Sequence, residues 1–407
     1  MQVALKHKTD CGTPEGACGN QVVRILRSTE EVERVREFWS SCPGTLESDI
    51  DVFLAIPTGT AESPRPCVPV LYRGGEPAAL LAGKIVQTKF AFRLGWLSVF
   101  RPQVNVLTIR GGLRGDASLE NCRELVRATM ACLKDGDASV AFFAHVDPES
   151  VFFRYLKAEP GFLFRDHITP IRQHRLRVLP DNVKQMYAEL SSNERRGFHR
   201  ISKKLLEEFH RQVRVDRFDG LLGLDHTLEV VEEIAKKSWQ RTMGRGFSMD
   251  PSLLQTFGTL AQKGWLRVYI LFLAEKPCAF WIGARYRGKF YTEYTGYDLA
   301  YNSYSPGRHL LSQIMEDCCL EGIEAIDFGS SDEEYKKRFG NVMQPETNLR
   351  LFAPSPLGFT LSVRSTITAF LHELTRAFLK RSNLIQRTKQ VWRRVSVNRA
   401  RTEAEPT

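Results

Sequence analysis

None of the nine cysteines forms a Cys-x-x-Cys pair. That excludes a zinc knuckle of the usual spacing, and the odd count suits free thiols in a reducing compartment better than a disulfide framework. Long apolar runs are also missing. The longest uncharged one, Val268–Ala274, is far short of the ~18–20 residues that cross a bilayer. Met1–Asp10 has basic residues with no apolar segment behind them, so no export signal is expected. Acid is scarce in one place only. Between Leu361 and Arg401 ten lysines and arginines stand against the single Glu373, so residues 361–407 hold +7 of the chain's net +10. A near-neutral body is not expected to track nucleic-acid phosphate along its main face. The expectation is a cytoplasmic protein, with at most a peripheral place at the inner face of a membrane.

What is present is an ordinary globular composition, 43% apolar and 26% charged over 407 residues, enough for two cores. Residues 1–21 are polar and aperiodic and read as a loose leader. From Val22 the order is strand (Val22–Leu26), helix (Thr29–Trp39), a Pro- and Gly-rich loop (Pro57–Pro69), then apolar alternating segments around Val68–Tyr72, Ala78–Gln87 and Trp96–Ile109. A glycine turn (Gly111–Gly115), an amphipathic helix (Leu119–Leu133), a buried strand (Ser139–His145) and a short helix after Pro148 follow. Beyond the charged helical stretch Val183–His210 and a helix over Leu228–Thr242, the order recurs. Strands Trp265–Ala274, Cys278–Tyr286 and Phe290–Tyr297 lead through Pro306-Gly307 into helix Arg308–Glu321, strand Ile323–Phe328 and short helix Asp332–Arg338. The recurrence predicts an α/β (α+β) chain of two similar mixed-sheet domains in tandem, 22–179 and 180–356, with a basic amphipathic helical tail over 357–407.

Chemistry concentrates between Tyr291 and Gly340. Tyrosines 291, 294, 297, 301 and 304 have helical spacing, but the Gly288 turn, Thr292, Thr295 and Gly296 favour a strand with Tyr291, Glu293, Thr295 and Tyr297 on one face. Ser305-Pro306-Gly307 ends that strand and opens a helix, whose unpaired N–H groups and partial positive charge suit an anion such as a pyrophosphate. Gly307 lets a ligand approach the backbone closely, and Arg308 can pair with a phosphate.

Residues 192–351 resemble the GNAT acyltransferase superfamily, and within it the FemAB-like group that includes CelD-type acetyltransferases. The resemblance rests on Arg195-Arg196, the Trp239–Gly246 segment, Gly264-Trp265, Tyr297-Asp298 before Ser305-Pro306-Gly307, Asp327-Phe328-Gly329, and Tyr335-Lys336. It implies two GNAT-like halves, the first a degenerate partner, with acetyl-CoA or another acyl-CoA as co-substrate and no metal. It also implies that the loop Ser305, Pro306, Gly307, Arg308, His309 and Leu310 cradles the diphosphate, although one glycine stands where the family usually has two. Tyr335 matches the tyrosine that protonates the departing thiolate, in the order Phe-Gly rather than the family's Gly-Phe. Lys336 matches a lysine of the Fem-type group that lies near the transferred carboxyl.

The chemistry asks for the same parts. Acyl transfer to an amine needs a base for the amine, donors to the developing oxyanion and a proton for the thiolate. Glu293 is the candidate base, Tyr335 the acid and Lys336 a further catalytic group. Trp239, Tyr294, Tyr297, Asp298 and Asp327 are the candidate acceptor contacts, although carboxylates at strand ends often only hold a loop. The acceptor is expected to be a small molecule, or a polysaccharide or envelope precursor, with an amine or hydroxyl. One alternative is a Fem-type transferase using aminoacyl-tRNA, for which Arg195, Arg196, Arg200, Lys203, Lys204, Arg211, Arg214 and Arg217 supply a basic stretch. The other is a non-catalytic GNAT-like binding module. In the tail, Val363, Ile367, Phe370, Leu371, Leu374 and Phe378 recur at helical spacing among basic residues. That helix is expected to dock on the second half or to lie on an anionic membrane, with the end beyond Arg387 mobile.

Overall fold

A computed structural model describes residues 21–55, 63–90, 92–94, 97–100, 102–242, 244, 246–330 and 333–381. The leader before Gln21 and the tail end beyond Arg387 lie outside the described residues. The first half contributes β1 (Gln21–Leu26), β2 (Val68–Arg73), β3 (Glu76–Lys89), β4 (Gln103–Gly115), α1 (Leu119–Lys134), β5 (Val140–Val146), α2 (Val151–Ala158) and β6 (Arg172–Val178). α1 buries Cys122, Leu125, Val126, Thr129, Cys132 and Leu133, an i, i+3, i+4 stripe that packs on Leu71, Leu107 and Phe143 of the sheet. Removing one such side chain, as in Leu125→Ala, is worth about 2–5 kcal/mol.

The second half repeats the order. It comprises α3 (Ser192–Glu208), β7 (Val213–Phe218), α4 (Leu224–Lys236), α5 (Pro251–Gln262), β8 (Leu266–Leu273), β9 (Lys276–Tyr286), β10 (Lys289–Tyr297), α6 (Pro306–Leu320), β11 (Ala325–Gly329), α7 (Glu334–Phe339) and β12 (Val342–Phe352). β8 reads LRVYILFL and is buried almost throughout, because α6 covers one face while α4 and α5 cover the other. In both halves the strand before the long helix pairs in parallel with the strand after it, β4 with β5 and β10 with β11.

The halves exchange their last strands. The sheet order is β1-β2-β3-β4-β5-β12-β6-β11-β10-β9-β8-β7, so β12 closes the first half's sheet and β6 the second's. β12 pairs antiparallel with both β5 and β6, and Leu349, Leu351 and Ala353 enter the first half's core. The cut expected at residue 179 therefore runs beside a strand of the first segment that is hydrogen-bonded to β11 of the second.

Local differences have local causes. The helix expected over Thr29–Trp39 is two pieces, Thr29–Glu33 and Arg36–Ser41, because Arg34 caps the first and Val35 leaves helical geometry to start the second. The glycines expected to form a turn at 111–115 instead lie within β4. Leu81 faces Leu113 and Gly83 faces Ile109, so Arg110, Gly111 and Gly112 bulge opposite one residue, with both glycines at positive φ. The final helix α8 (Pro356–Arg381) docks on the first half and not, as expected, on the second. Leu361 anchors it, buried among Val104, Val106, Val140 and Phe352. No helix among the described residues is long and apolar enough to cross a membrane.

Candidate active site

β10 pairs with β11 only where Lys289–Tyr291 face Ala325–Asp327, then continues to Tyr297 without that neighbour. The gap opens beside the start of α6. Along its other edge β10 slips register against β9: Tyr294 faces Ile282 and Thr292 faces Gly283, which leaves Glu293 as the extra residue of a bulge. Gly283 permits the close approach, since a Cβ there would collide with the Tyr291 carbonyl and the Phe290 ring. The strict alternation expected for Tyr291, Glu293, Thr295 and Tyr297 is broken by this bulge. Tyr291 and Tyr294 pack on the α4–α5 side, Tyr297 on the α6 side, and Glu293 turns into a pocket of about 660 Å³.

The bulges of the two halves face one another electrostatically. Arg110, from the bulge of β4, and Glu47, its partner at 3.5 Å, both act on Glu293. The Glu293 carboxyl is pushed up to about 7, first by the protein packed around it and then by Glu47, against the pull of Arg110 and Lys336. By surface area Glu293 is an exposed residue, so the carboxyl stays in contact with solvent although protein packs around it.

At the other end of the pocket, α6 starts at Pro306 with Ser305 in left-handed geometry and no side-chain cap. Gly307 lines the pocket, and its absent Cβ would make only ordinary contact with Tyr297 at 3.6 Å. Folding therefore does not require glycine here, whereas an open backbone does. Arg308 lies across the rings of Phe198 and Phe339, 5.5 and 6.0 Å from their centres, and its Nε is buried without a hydrogen-bond partner. Burial lowers its pKa, and the nearby Arg338 and Arg200 push the same way. An anion would satisfy such a group. Two further orphaned buried atoms, Trp281 Nε1 and Gln240 Oε1, belong to side chains lining the same pocket.

α7 brings Tyr335 and Lys336 to the pocket wall. The Tyr335 ring stands edge-on to Trp281 at 5.6 Å and Phe328 at 5.9 Å. Burial, then Glu333, holds its phenol above the ordinary range, so it stays a proton carrier at neutral pH. Burial lowers Lys336, while Glu333 at 3.7 Å opposes that shift.

Behind the pocket a four-residue chain crosses the strand exchange. His174 Nε2 meets Asp327 at 2.7 Å and its Nδ1 meets Glu346 at 2.8 Å, while His145 Nδ1 meets Glu346 at 3.0 Å. Burial works to lower His174, but the two carboxylates outweigh it and hold the imidazole at about 9. Glu346 is held well below the usual carboxylate range, the two histidines overcoming its burial. His145, His174 and Glu346, and separately Cys67, Cys132 and Asp137, bring possible metal ligand atoms within 4.8 Å of one another. In the first group both imidazoles are raised by the carboxylates they meet, Glu346 for both and Asp327 also for His174.

Glu293, Tyr335, Lys336, Ser305, Gly307, Arg308, Trp239, Tyr294 and Tyr297 thus share one pocket. The other expected contacts face elsewhere. His309 turns into the core, where Ser202 bonds its Nδ1 and burial lowers it to about 4. Pro306 and Leu310 are buried, leaving only main chain to offer. Asp298 caps the turn Leu299–Tyr304 and pairs with Lys237. Asp327 holds His174 and the Gly329 N–H. The sequence reading missed Trp281, Gln240 and Arg338 as pocket residues, and Glu47 and Arg110 as neighbours of Glu293. Arg338 was within reach of it, three residues beyond Tyr335 on one helix face.

Residues 192–337 match the family described as an acetyltransferase (GNAT) domain. Among solved structures the chain is similar to FemX, at 14% identity and TM-score 0.57, over 83% of this chain and 100% of that one. It is similar also to a tandem GNAT protein from the clavulanic acid biosynthesis pathway, solved without AcCoA, at 10% identity and TM-score 0.50, again over 83% and 100%. At these identities the likeness is one of fold, and the fold is that of tandem GNAT proteins. No curated protein matches the sequence.

Proposed function

We propose that this chain, whose residues 192–337 form a GNAT domain, transfers an acyl group directly from an acyl-CoA to an amine or hydroxyl acceptor. One observation carries the reading: Glu293, raised to about 7, shares a pocket with an uncapped helix start beside Arg308. The first suits a base that works near neutrality, and the second suits a diphosphate. The co-substrate supplies an acyl group activated as a thioester. The residues present fit it, with Gly307 leaving room against the main chain and Arg308 Nε lacking a partner. In the reaction the acceptor's N–C or O–C bond forms as the C–S bond breaks. Glu293 takes the acceptor's proton, directly or through water, and Tyr335 gives its own to the leaving sulfur. Lys336, beside Glu333, adds positive charge at the same wall.

The aminoacyl-tRNA reading draws on the basic stretch after Arg195. Much of that charge is already engaged: Arg195 bonds the Ala188 carbonyl, Lys203 pairs with Glu207, Arg214 with Asp216 and Glu275, and Arg217 with Asp219, Asp317 and Glu321. This favours the smaller donor. The test is release of free thiol from acetyl-CoA and longer acyl-CoAs across a panel of amines and alcohols. Turnover that Glu293→Gln removes supports the proposal. No turnover with any thioester, alongside transfer from charged tRNA, replaces the donor, and inactivity with both leaves a binding module.

A further inference from the structure

α8 is apolar on the wrong side. Leu361 and Ser365 face the body, Ser365 bonding the buried Asp166. Phe359, Val363, Ile367, Phe370 and Leu374 follow at i, i+4, i+8, i+11 and i+15 and form one stripe on the opposite face, each two-fifths exposed or more. Beside the helix packs the turn Phe162–Phe164, whose Phe164 reaches inward while Phe162 is 67% and Leu163 50% exposed. An outward apolar stripe of this kind on a helix about 39 Å long, with further exposed apolar side chains on a turn packed beside it, calls for a partner.

We infer that this face of α8, with Phe162 and Leu163, rests on the surface of an anionic phospholipid bilayer. Charge selects that occupant. The stripe carries one acid on its flank, Glu373, and runs into Arg376, Lys380 and Arg381, within a stretch of ten basic residues and one acidic residue from Leu361 to Arg401. A second copy laid on the same face would bring two such stretches together, and they repel. An anionic leaflet attracts them, by about 1 kcal/mol per basic residue close to the surface. The helix is also not apolar enough to cross, so it lies in the interface plane. The inference is independent of the pocket and assigns the enzyme's location, with acceptors presented at a membrane within its reach.

The full chain is floated with vesicles of phosphatidylcholine alone or with about one-third phosphatidylglycerol, at low and high salt. Binding is expected to the anionic vesicles only and to weaken with salt. It should fall at least ~tenfold in an Ile367→Glu, Phe370→Glu double variant whose melting temperature is unchanged, because both side chains face solvent. Absence of binding to anionic vesicles overturns the inference. So does equal binding by the double variant, which leaves attraction by the basic residues alone. A dimer in solution that the double variant converts to monomer would make the face a self-association surface instead.

Discussion

Just before α1 stands Asp116, an acid with no counterpart just before α6. Asp116 accepts from the Ser118 N–H at 3.1 Å and from Asn121 Nδ2 at 2.9 Å, and pairs with Arg73 at 3.5 Å. Neither helix start has a side-chain cap, but the corresponding turn of α6 has no acid and has an arginine whose Nε lacks a partner. Both junctions follow a bulged strand that parts from its parallel neighbour, so the scaffold is common and the occupancy differs. The first half's junction thus carries a negative charge of its own, which disfavours an anion there. The bulges differ too: the second half's places Glu293, the proposed base, in the pocket, and Arg110 from the first half's bulge opposes the rise of its pKa.

The contrast breaks most severely at Glu293. Glu293→Gln should lower turnover about 10²–10⁴-fold with acyl-CoA affinity retained, as steady-state kinetics beside a binding titration would show. In the wild type the rate should rise with pH through about 7 as Glu293 loses its proton. A flat profile with chemistry rate-limiting would move the base elsewhere.

His174→Ala tests the seam between the halves. It leaves Asp327 and Glu346 without their shared partner, at about 3–5 kcal/mol of stability in a denaturant titration. The sign of the pH dependence follows from the raised imidazole. Its contribution is complete below the ordinary histidine value and is lost as pH rises through about 9. The variant should lack that alkaline slope.

Arg308→Ala should weaken acyl-CoA by about 1.5–3 kcal/mol, roughly 10–150-fold, which is the range for a hydrogen bond to a charged group. The smallest effect belongs to the first half. Asp116→Ala should cost about 1 kcal/mol of stability, the worth of a hydrogen bond, and leave acyl-CoA affinity unchanged. Equal effects of these two variants on affinity would erase the contrast between the junctions.

Most strands and helices of the body were legible in the sequence because their periodicity is local. β12 was not, since Glu346 and Thr347 are buried polar residues within it and hide its alternation. The α5 helix escaped for a similar reason: Thr256, Gly258 and Thr259 weaken its stripe. Of the site, the helix start and the Tyr335-Lys336 pair could be read because each is one short segment. The turning of Glu293 could not, because it depends on Gly283 of the neighbouring strand. Nor could the His174–Asp327 bond, which joins residues 153 apart and exists only through the strand exchange. His309 was legible as a residue and misplaced as a contact, since the first turn of α6 offers one face to the pocket and the other to Ser202.

As proposed, the chain holds one acyl-CoA, on the second half's junction. Calorimetric titration of the full chain with acetyl-CoA, repeated on Gly307→Val, tests it most directly. The prediction is one site per chain, lost or severely weakened in the variant, because the added side chain fills the space left for the diphosphate while the fold tolerates it. Two sites per chain, or one whose affinity Gly307→Val leaves unchanged, would contradict it.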